Sequence, residues 1–234
     1  MQELDTRLDQ LRHQLEHLPE TKELTELNAS REALEARVGN TTVRVDDLGR
    51  AQRKADADVE QVKVRRARDR QRIDQGLVNS PKDLEPMQHE MASLERRITE
   101  LEDAELEVME QLEAAQKELA DLASELAGVQ ERISAVEAAR TERAGGVEQE
   151  REQVRAQREQ LASGIQADLL ALYDRLRGQK GGVGAAALRG RRCGGCSLEL
   201  NAADLGVIAK APADEVLRCE ECSRILVRTS ESGL

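Results

Sequence analysis

The sequence predicts a mainly α protein: a long antiparallel coiled-coil hairpin followed by a small C-terminal α+β module built around four cysteines. Three observations carry that reading. Two runs of apolar residues at alternating three- and four-residue steps, Leu24 to Ile73 and Leu84 to Val136, flank the turn-forming stretch DQGLVNSPKDLE. A composition with 0% aromatic and 35% charged residues suits helices that touch only neighbouring helices and argues against a broad core. All four cysteines fall in two CxxC pairs, RCGGC and RCEEC, with 22 residues between them.

The first 18 residues carry their own heptad, Leu4, Leu8, Leu11, Leu15 and Leu18, whose phase slips after Pro19. Proline removes a backbone donor and clashes with the preceding turn, so a break is expected there. The first long run tolerates polar residues at Arg31, Thr41, Gln52, Arg66 and Asp69, whereas the second has only Glu105. Between the runs, near 75–81, Gly76, Asn79, Ser80 and Pro81 supply a turn, a helix cap and a first-turn proline. If the chain folds back near Val78, seam residues should pair so that their numbers add to a constant. Ile73 with Leu84, Val59 with Ile98, Leu48 with Val108, Leu34 with Leu122 and Leu24 with Ile133 all give 156 or 157. The same rule sets Gln52 opposite Glu105, a polar layer that costs stability and fixes register. It also sets Leu11 opposite Gly145-Gly146, where a second break is expected because glycine weakens a helix interior.

A third helical run, from Val147 through Val154, Leu161, Ile165, Leu169 and Leu172 to Leu176, completes a coiled-coil region over 1–177. Residues 178–192 read as a flexible, basic, glycine-rich connection. The module at 193–234 reads as a strand at Ser197–Leu200, a helix over Ala202–Lys210 capped by Asn201, a turn at Pro212, and strands at Val216–Arg218 and Ile225–Arg228.

Two residues between cysteines let one tight turn present both sulfurs, and four thiolates at tetrahedral angles suit zinc. Cys193, Cys196, Cys219 and Cys222 are therefore the expected ligands of one structural Zn2+, with a redox dithiol or a disulfide as the competing uses. A core this small needs the folding energy that a metal supplies. Catalytic zinc would want an open position and His or carboxylate ligands. His13, His17 and His89 fall in the helical part and read as solvated side chains.

The heptads, the turn phrase SPKDLEPMQHEMASLERRI and the ending from LLALYDRLRGQKGGVG to RCEECSRILVR resemble the bacterial coiled-coil proteins that end in a four-cysteine zinc ribbon. Many of these carry only zinc-ribbon or nucleic-acid-binding descriptions. The resemblance implies zinc ligation by the four cysteines and a regulatory or adaptor role. In some flagellated bacteria the family is linked to an alternative sigma factor and to messenger RNA.

A net charge of -11 excludes bulk attraction to nucleic acid or to an anionic membrane, so such binding needs a local patch. Two patches exist. The first, beside the hairpin tip, holds Lys63, Arg65, Arg66, Arg68, Arg70 and Arg72 against one acid. It reads either as a protein-partner surface or as a solvated face paired with Asp83, Glu85, Glu90 and Glu95. The second holds Arg175, Arg177, Lys180, Arg189, Arg191 and Arg192 with no acid, and reads as a contact for RNA or DNA phosphates. The absence of Trp and Phe argues against base stacking.

No phosphate loop, nucleophile elbow or pocket-forming core is present, and no secretion signal or membrane span is legible. The expectation is a cytoplasmic, non-enzymatic adaptor with a protein partner, the alternative being a structural spacer or dimeriser. The heptads fit a hairpin within one chain and also an extended dimer.

Overall fold

The structure is a computed structural model that describes residues 1–78 and 80–234; Asn79, one of the expected turn residues, lies outside the described residues. Helix α1 spans Gln2–Glu16, α2 Pro19–Asp74, α3 Pro81–Ser163 and α4 Ala167–Gln179. Strands β1 (Ala185–Arg189) and β2 (Arg192–Cys193) follow, then α5 (Ala202–Lys210), β3 (Leu217–Arg218) and β4 (Ile225–Val227). Two compact units result, residues 23–136 and residues 1–22 with 137–234.

In the first unit, the arm, α2 and α3 form the helical hairpin. Val59, Ile98, Leu34 and Leu122 are all buried, and Leu24 packs with Ile133, Val136, Leu27 and Val129, as the register demands. The α2 end is a Schellman motif: Gly76 sits at φ 68°, its N–H bonds to the Ile73 carbonyl, and the Leu77 N–H bonds to the Arg72 carbonyl. Ser80 starts α3, its Oγ accepting from the Lys82 N–H, with Pro81 at the first helical position. Of the polar seam residues, Thr41 and Asp69 are buried, and Asp69 lies 3.6 Å from Arg68 and 3.9 Å from Arg65. Glu105 takes Asp56 as its hydrogen-bonding partner, and that bond between two carboxyls, then burial, holds its proton above the usual carboxylate range.

In the second unit α1 packs on the far part of α3, Leu11 against Val147 and Val154. Helix α1 ends at Glu16 and α2 begins at Pro19, so the expected break is there. The break expected at Gly145-Gly146 is absent, for α3 runs through both. Nothing lies within 4 Å of either Cβ position, and burial of Val147 and Val154 on α1 holds the helix across the weak pair. The third run is instead interrupted at residues 164–166, between α3 and α4, where the N–H groups of Gly164 and Ile165 make short 3₁₀-type bonds to Leu161 and Ala162.

The connection expected at 178–192 is also corrected. Gly178 and Gln179 end α4, Gly181 at φ 67° terminates it, and Ala185–Arg189 is a strand of the ribbon itself. The sheet order is β2-β1-β4-β3, with β1 parallel to β4 (Ala185 opposite Ile225, Ala187 opposite Val227) and the other pairs antiparallel. Ala186 and Leu188 face inward and join Cys193, Leu200, Ile208, Cys219 and Leu226 in one core. The strand expected at Ser197–Leu200 shrinks to one bridge, Glu199 to Arg192. Helix α5 starts as expected, the Asn201 side chain accepting from the Asp204 N–H at 2.8 Å. Among the described residues no helix is long and apolar enough to cross a membrane.

Candidate metal centre

The two CxxC turns are built alike. Ser197 and Ser223, each following the second cysteine of its pair, have φ 63°, and each N–H bonds at 2.8 Å to the carbonyl of the first cysteine. The Cys193 N–H bonds to the Leu198 carbonyl and the Cys219 N–H to the Arg224 carbonyl, both at 3.0 Å. Each chain reversal thus turns both sulfurs of a pair to one side. The first turn needs its glycines because a Cβ on Gly194 would lie 2.9 Å from the Ala187 carbonyl oxygen, and one on Gly195 2.5 Å from the Arg224 Cδ.

Across the pairs, the Cys193 and Cys222 sulfurs are 3.8 Å apart and those of Cys196 and Cys219 are 3.9 Å apart, with all four within 4.8 Å of one another. A tetrahedron of sulfurs at about 2.3 Å from a zinc ion has edges of about 3.8 Å, so the donor set and spacing fit zinc. The thiols are unequally disposed to ionise. Burial pushes Cys219 up to about 12 against the amides of Cys222 and Glu221. Burial acts upward at Cys222 too, but the Arg224 amide and side chain, with the Cys196 and Cys219 thiols, outweigh it and bring the group down to about 7. At Cys196 the Leu198 amide favours the thiolate, while burial and the Cys222 and Cys193 thiols raise the net value. Metal binding must displace the remaining thiol protons.

A second polar assembly ties the ribbon to the helices of its own unit, and sequence reading missed it. The Asp5 carboxylate, 1% exposed, accepts from Arg158 Nε and from the Tyr173 hydroxyl, both at 2.6 Å. Burial first, then that bond to Asp5, raises the Tyr173 phenol above its ordinary pKa. Gln2 Oε1 accepts from the Gly184 N–H at 2.8 Å, and Gln2 Nε2 donates to the Gly182 carbonyl at 2.8 Å. From the metal side, Arg224 donates to the carbonyls of Val183 at 2.9 Å and Lys180 at 2.8 Å. Gly184 admits this contact: a Cβ there would sit 2.7 Å from the Tyr173 carbonyl oxygen. The available signals were the chain's single tyrosine and an aspartate beside the heptad leucine Leu4.

Comparison with known proteins matches this architecture along most of the chain. The model of the CT398-like coiled-coil hairpin domain covers residues 1–181, and that of the C4-type zinc ribbon domain covers residues 192–226. The chain belongs to the CT398-like coiled-coil hairpin family. A relative from Mycobacterium tuberculosis, "Uncharacterized protein Rv2229c", is 34% identical over 225 residues, covering 96% of this chain and 91% of its own. "Uncharacterized protein ML1638" from Mycobacterium leprae is 25% identical, covering 96% of each. A solved structure from Mycobacterium smegmatis is similar with a TM-score of 0.80 at 32% identity, over 97% of this chain and 94% of that one. The structure of CT398 from Chlamydia trachomatis, at 21% identity and a TM-score of 0.64 over 97% and 94% of the two chains, shares the fold.

Within this CT398-like chain the basic residues divide by environment. At the arm tip, Lys63 meets Glu102 at 2.6 Å, Arg65 meets Glu90 at 2.6 Å, Arg66 meets Glu95 at 2.7 Å and Arg70 meets Asp74 at 3.3 Å. Arg68 faces Asp69, and Arg72 is exposed. In the second patch Arg177 is half-buried on Asp9 at 2.7 Å, which removes it from the surface set. Lys180 is half-buried, and Arg175 and Arg191 are exposed. Arg189 pairs with Glu231 at 3.2 Å and Arg192 with Glu199 at 3.4 Å, all four largely exposed.

Proposed function

We infer that the chain is a non-enzymatic adaptor that holds one structural zinc ion, engages a protein through the helical hairpin, and contacts nucleic acid or a nucleic-acid machine through the ribbon. The observation that carries the nucleic-acid part is the turn between β1 and β2. Leu188 pairs with Cys193 and Arg189 with Arg192, leaving Gly190 and Arg191 as a two-residue loop with φ 50° and 64°. The Gly190 and Arg191 N–H groups bond to the carbonyls of Glu231 and Ser232, so three arginines stand on a braced turn. Exposed ion pairs such as Arg189–Glu231 contribute about 0–1 kcal/mol and yield readily to a phosphate.

The charge balance argues for a confined contact. Residues 178–234 hold eight cations and seven carboxylates, and four thiolates on Zn2+ add two negative charges. Binding would be electrostatic and loosely sequence-selective. Support for a non-enzymatic role is the closed four-sulfur set, which offers no coordination position to water or substrate. For the arm, exposed Val64 among the ion-paired cations, with Val43, Leu106 and Met109 exposed further along the hairpin, offers apolar contacts suited to a protein partner in the cytoplasm. The alternative, a structural spacer, draws its support from the carboxylates that partner Arg177, Arg189 and Arg192.

Fluorescence anisotropy with labelled single-stranded RNA and duplex DNA tests the adaptor reading. If about three phosphates are neutralised, affinity falls roughly 20- to 40-fold for a fourfold rise in salt. Replacing Arg189, Arg191 and Arg192 by Gln flattens that slope and leaves the zinc content unchanged. No binding at low salt, or a slope indifferent to the triple substitution, favours the spacer.

A further inference from the structure

The last turn of α1 reads HQLEH, and its spacing brings three side chains with metal-binding atoms onto one face. His13, Glu16 and His17 stand at i, i+3 and i+4, all three exposed, with one ligand atom of each lying within 4.8 Å of the others. The two imidazole centroids are 4.0 Å apart and tilted by 35°. A tetrahedral ion with ligands at about 2.0–2.1 Å needs its donors about 3.3–3.4 Å apart. Rotation of exposed side chains can close the difference without moving backbone.

The hydrogen bond made by His17 decides how its ring can serve. Its Nδ1 lies 2.9 Å from the His13 carbonyl oxygen. A carbonyl oxygen only accepts, so Nδ1 carries the hydrogen and, in the neutral ring, the lone pair is on Nε2. A ring nitrogen that donates to a backbone carbonyl while the other keeps its lone pair is the arrangement that orients metal-bound histidines. The helix end adds to this, since the unpaired carbonyls of a C-terminal turn favour a cation. Glu16 supplies a compensating negative charge.

We propose that His13, Glu16 and His17 form a second metal site, separate from the four cysteines, for a divalent late first-row ion such as Ni2+ or Zn2+. Imidazole suits these ions, and a two-histidine, one-carboxylate set leaves positions for water. The same H-x-x-E-H spacing holds zinc in inverzincin peptidases, whose glutamate works in a substrate cleft. Here the trio is on an open helix end, so the site binds and does not hydrolyse. An ion bound there ties the α1 C-cap, His17, to the preceding turn, immediately before the change of helix at Pro19.

Calorimetry with Ni2+ on the zinc-loaded full chain tests the proposal, paired with nickel-induced line broadening in NMR spectra. One equivalent beyond the ribbon metal is expected, with broadening centred on residues 13–17. Loss of a single supporting contact around a bound metal costs about 10- to 100-fold in affinity, so His13→Ala and His17→Ala should each lose at least about tenfold. Glu16→Gln should lose less. His17→Gln, which keeps a polar side chain at the helix end, separates ligand loss from fraying, and His89→Ala should change nothing. Absence of binding at about 1 mM Ni2+, wild-type affinity in either alanine variant, or loss of binding in His89→Ala overturns the site.

Discussion

Between residues 23 and 136 buried side chains recur along the helices, among them Leu24, Leu34, Val59, Ile98, Leu122 and Ile133. In the ribbon, seven buried residues form one cluster, and two of them, Cys193 and Cys219, belong to the four-cysteine set. The arm therefore distributes its stability over many similar layers, each contacting only its neighbours, and a fault in one layer leaves the others standing. The ribbon concentrates its stability at one point. Both regions lack large aromatic side chains; the arm compensates by repetition and the ribbon by four converging sulfurs.

The largest break in this comparison comes from the metal. Chelation of zinc, or Cys219→Ser, should abolish amide protection throughout residues 185–228 while most far-UV helical circular dichroism survives, because structural zinc supplies about 10–16 kcal/mol to small metal folds. Ribbon protection that persists without metal would show that the apolar cluster suffices. Next is Asp5→Ala, which strands Arg158 and the Tyr173 hydroxyl; a loss of about 3–5 kcal/mol in urea unfolding is expected, confined to the unit containing the ribbon. An arm substitution, Ile98→Ala, should cost about 2 kcal/mol or somewhat more and raise hydrogen exchange only in nearby turns of α2 and α3. Ribbon exchange that rises with it would contradict the separation.

Tyr173 sharpens the comparison further, because the only tyrosine reports on one unit alone. Its folded pKa is raised, so its contribution to stability is fully present below the unfolded value of about 10 and is lost as pH rises through the folded value. Absorbance titration near 295 nm should show ionisation well above that of free tyrosine, and Tyr173→Phe should flatten the alkaline loss of stability. The smallest effect is Gly145→Ala. With nothing within 4 Å of the new methyl, it should stabilise α3 by about 1 kcal/mol or less, measurable as a small rise in Tm.

The arm was legible because a seam between two helices is a one-dimensional code. Period and turn fix its register, which is why the sequence alone pairs Val59 with Ile98, both buried. The cysteine spacing and the Asn201 cap were legible for a similar reason, as local geometry dictates them. The Gly145-Gly146 helix was misread because local propensity yields to packing by Val147 and Val154. Strand β1 was misread because an alanine run between glycines has little strand preference of its own; its pairing comes from β4, far along the chain. The Asp5–Tyr173 contact spans 168 positions and has no periodic signature.

The parallel pairing of β1 with β4 also bears on how the chain is made. Ala185 waits for Ile225, and at 5–20 residues per second the 40 intervening positions take about 2–8 s to synthesise. Gln2 waits far longer for the Gly184 amide, 182 positions on, or roughly 10–35 s. Within the arm the wait shortens towards the turn: Leu24 waits roughly 5–20 s for Ile133, whereas Ile73 and Leu84 beside the turn emerge almost together. During translation, then, α1 spends many seconds with a carboxylate and an amide prepared for partners that do not yet exist. A nascent chain halted before Val147 is made would display Asp5 and the leucine face of α1 with the arm already folded, a state that chaperones and proteases could distinguish from the completed protein.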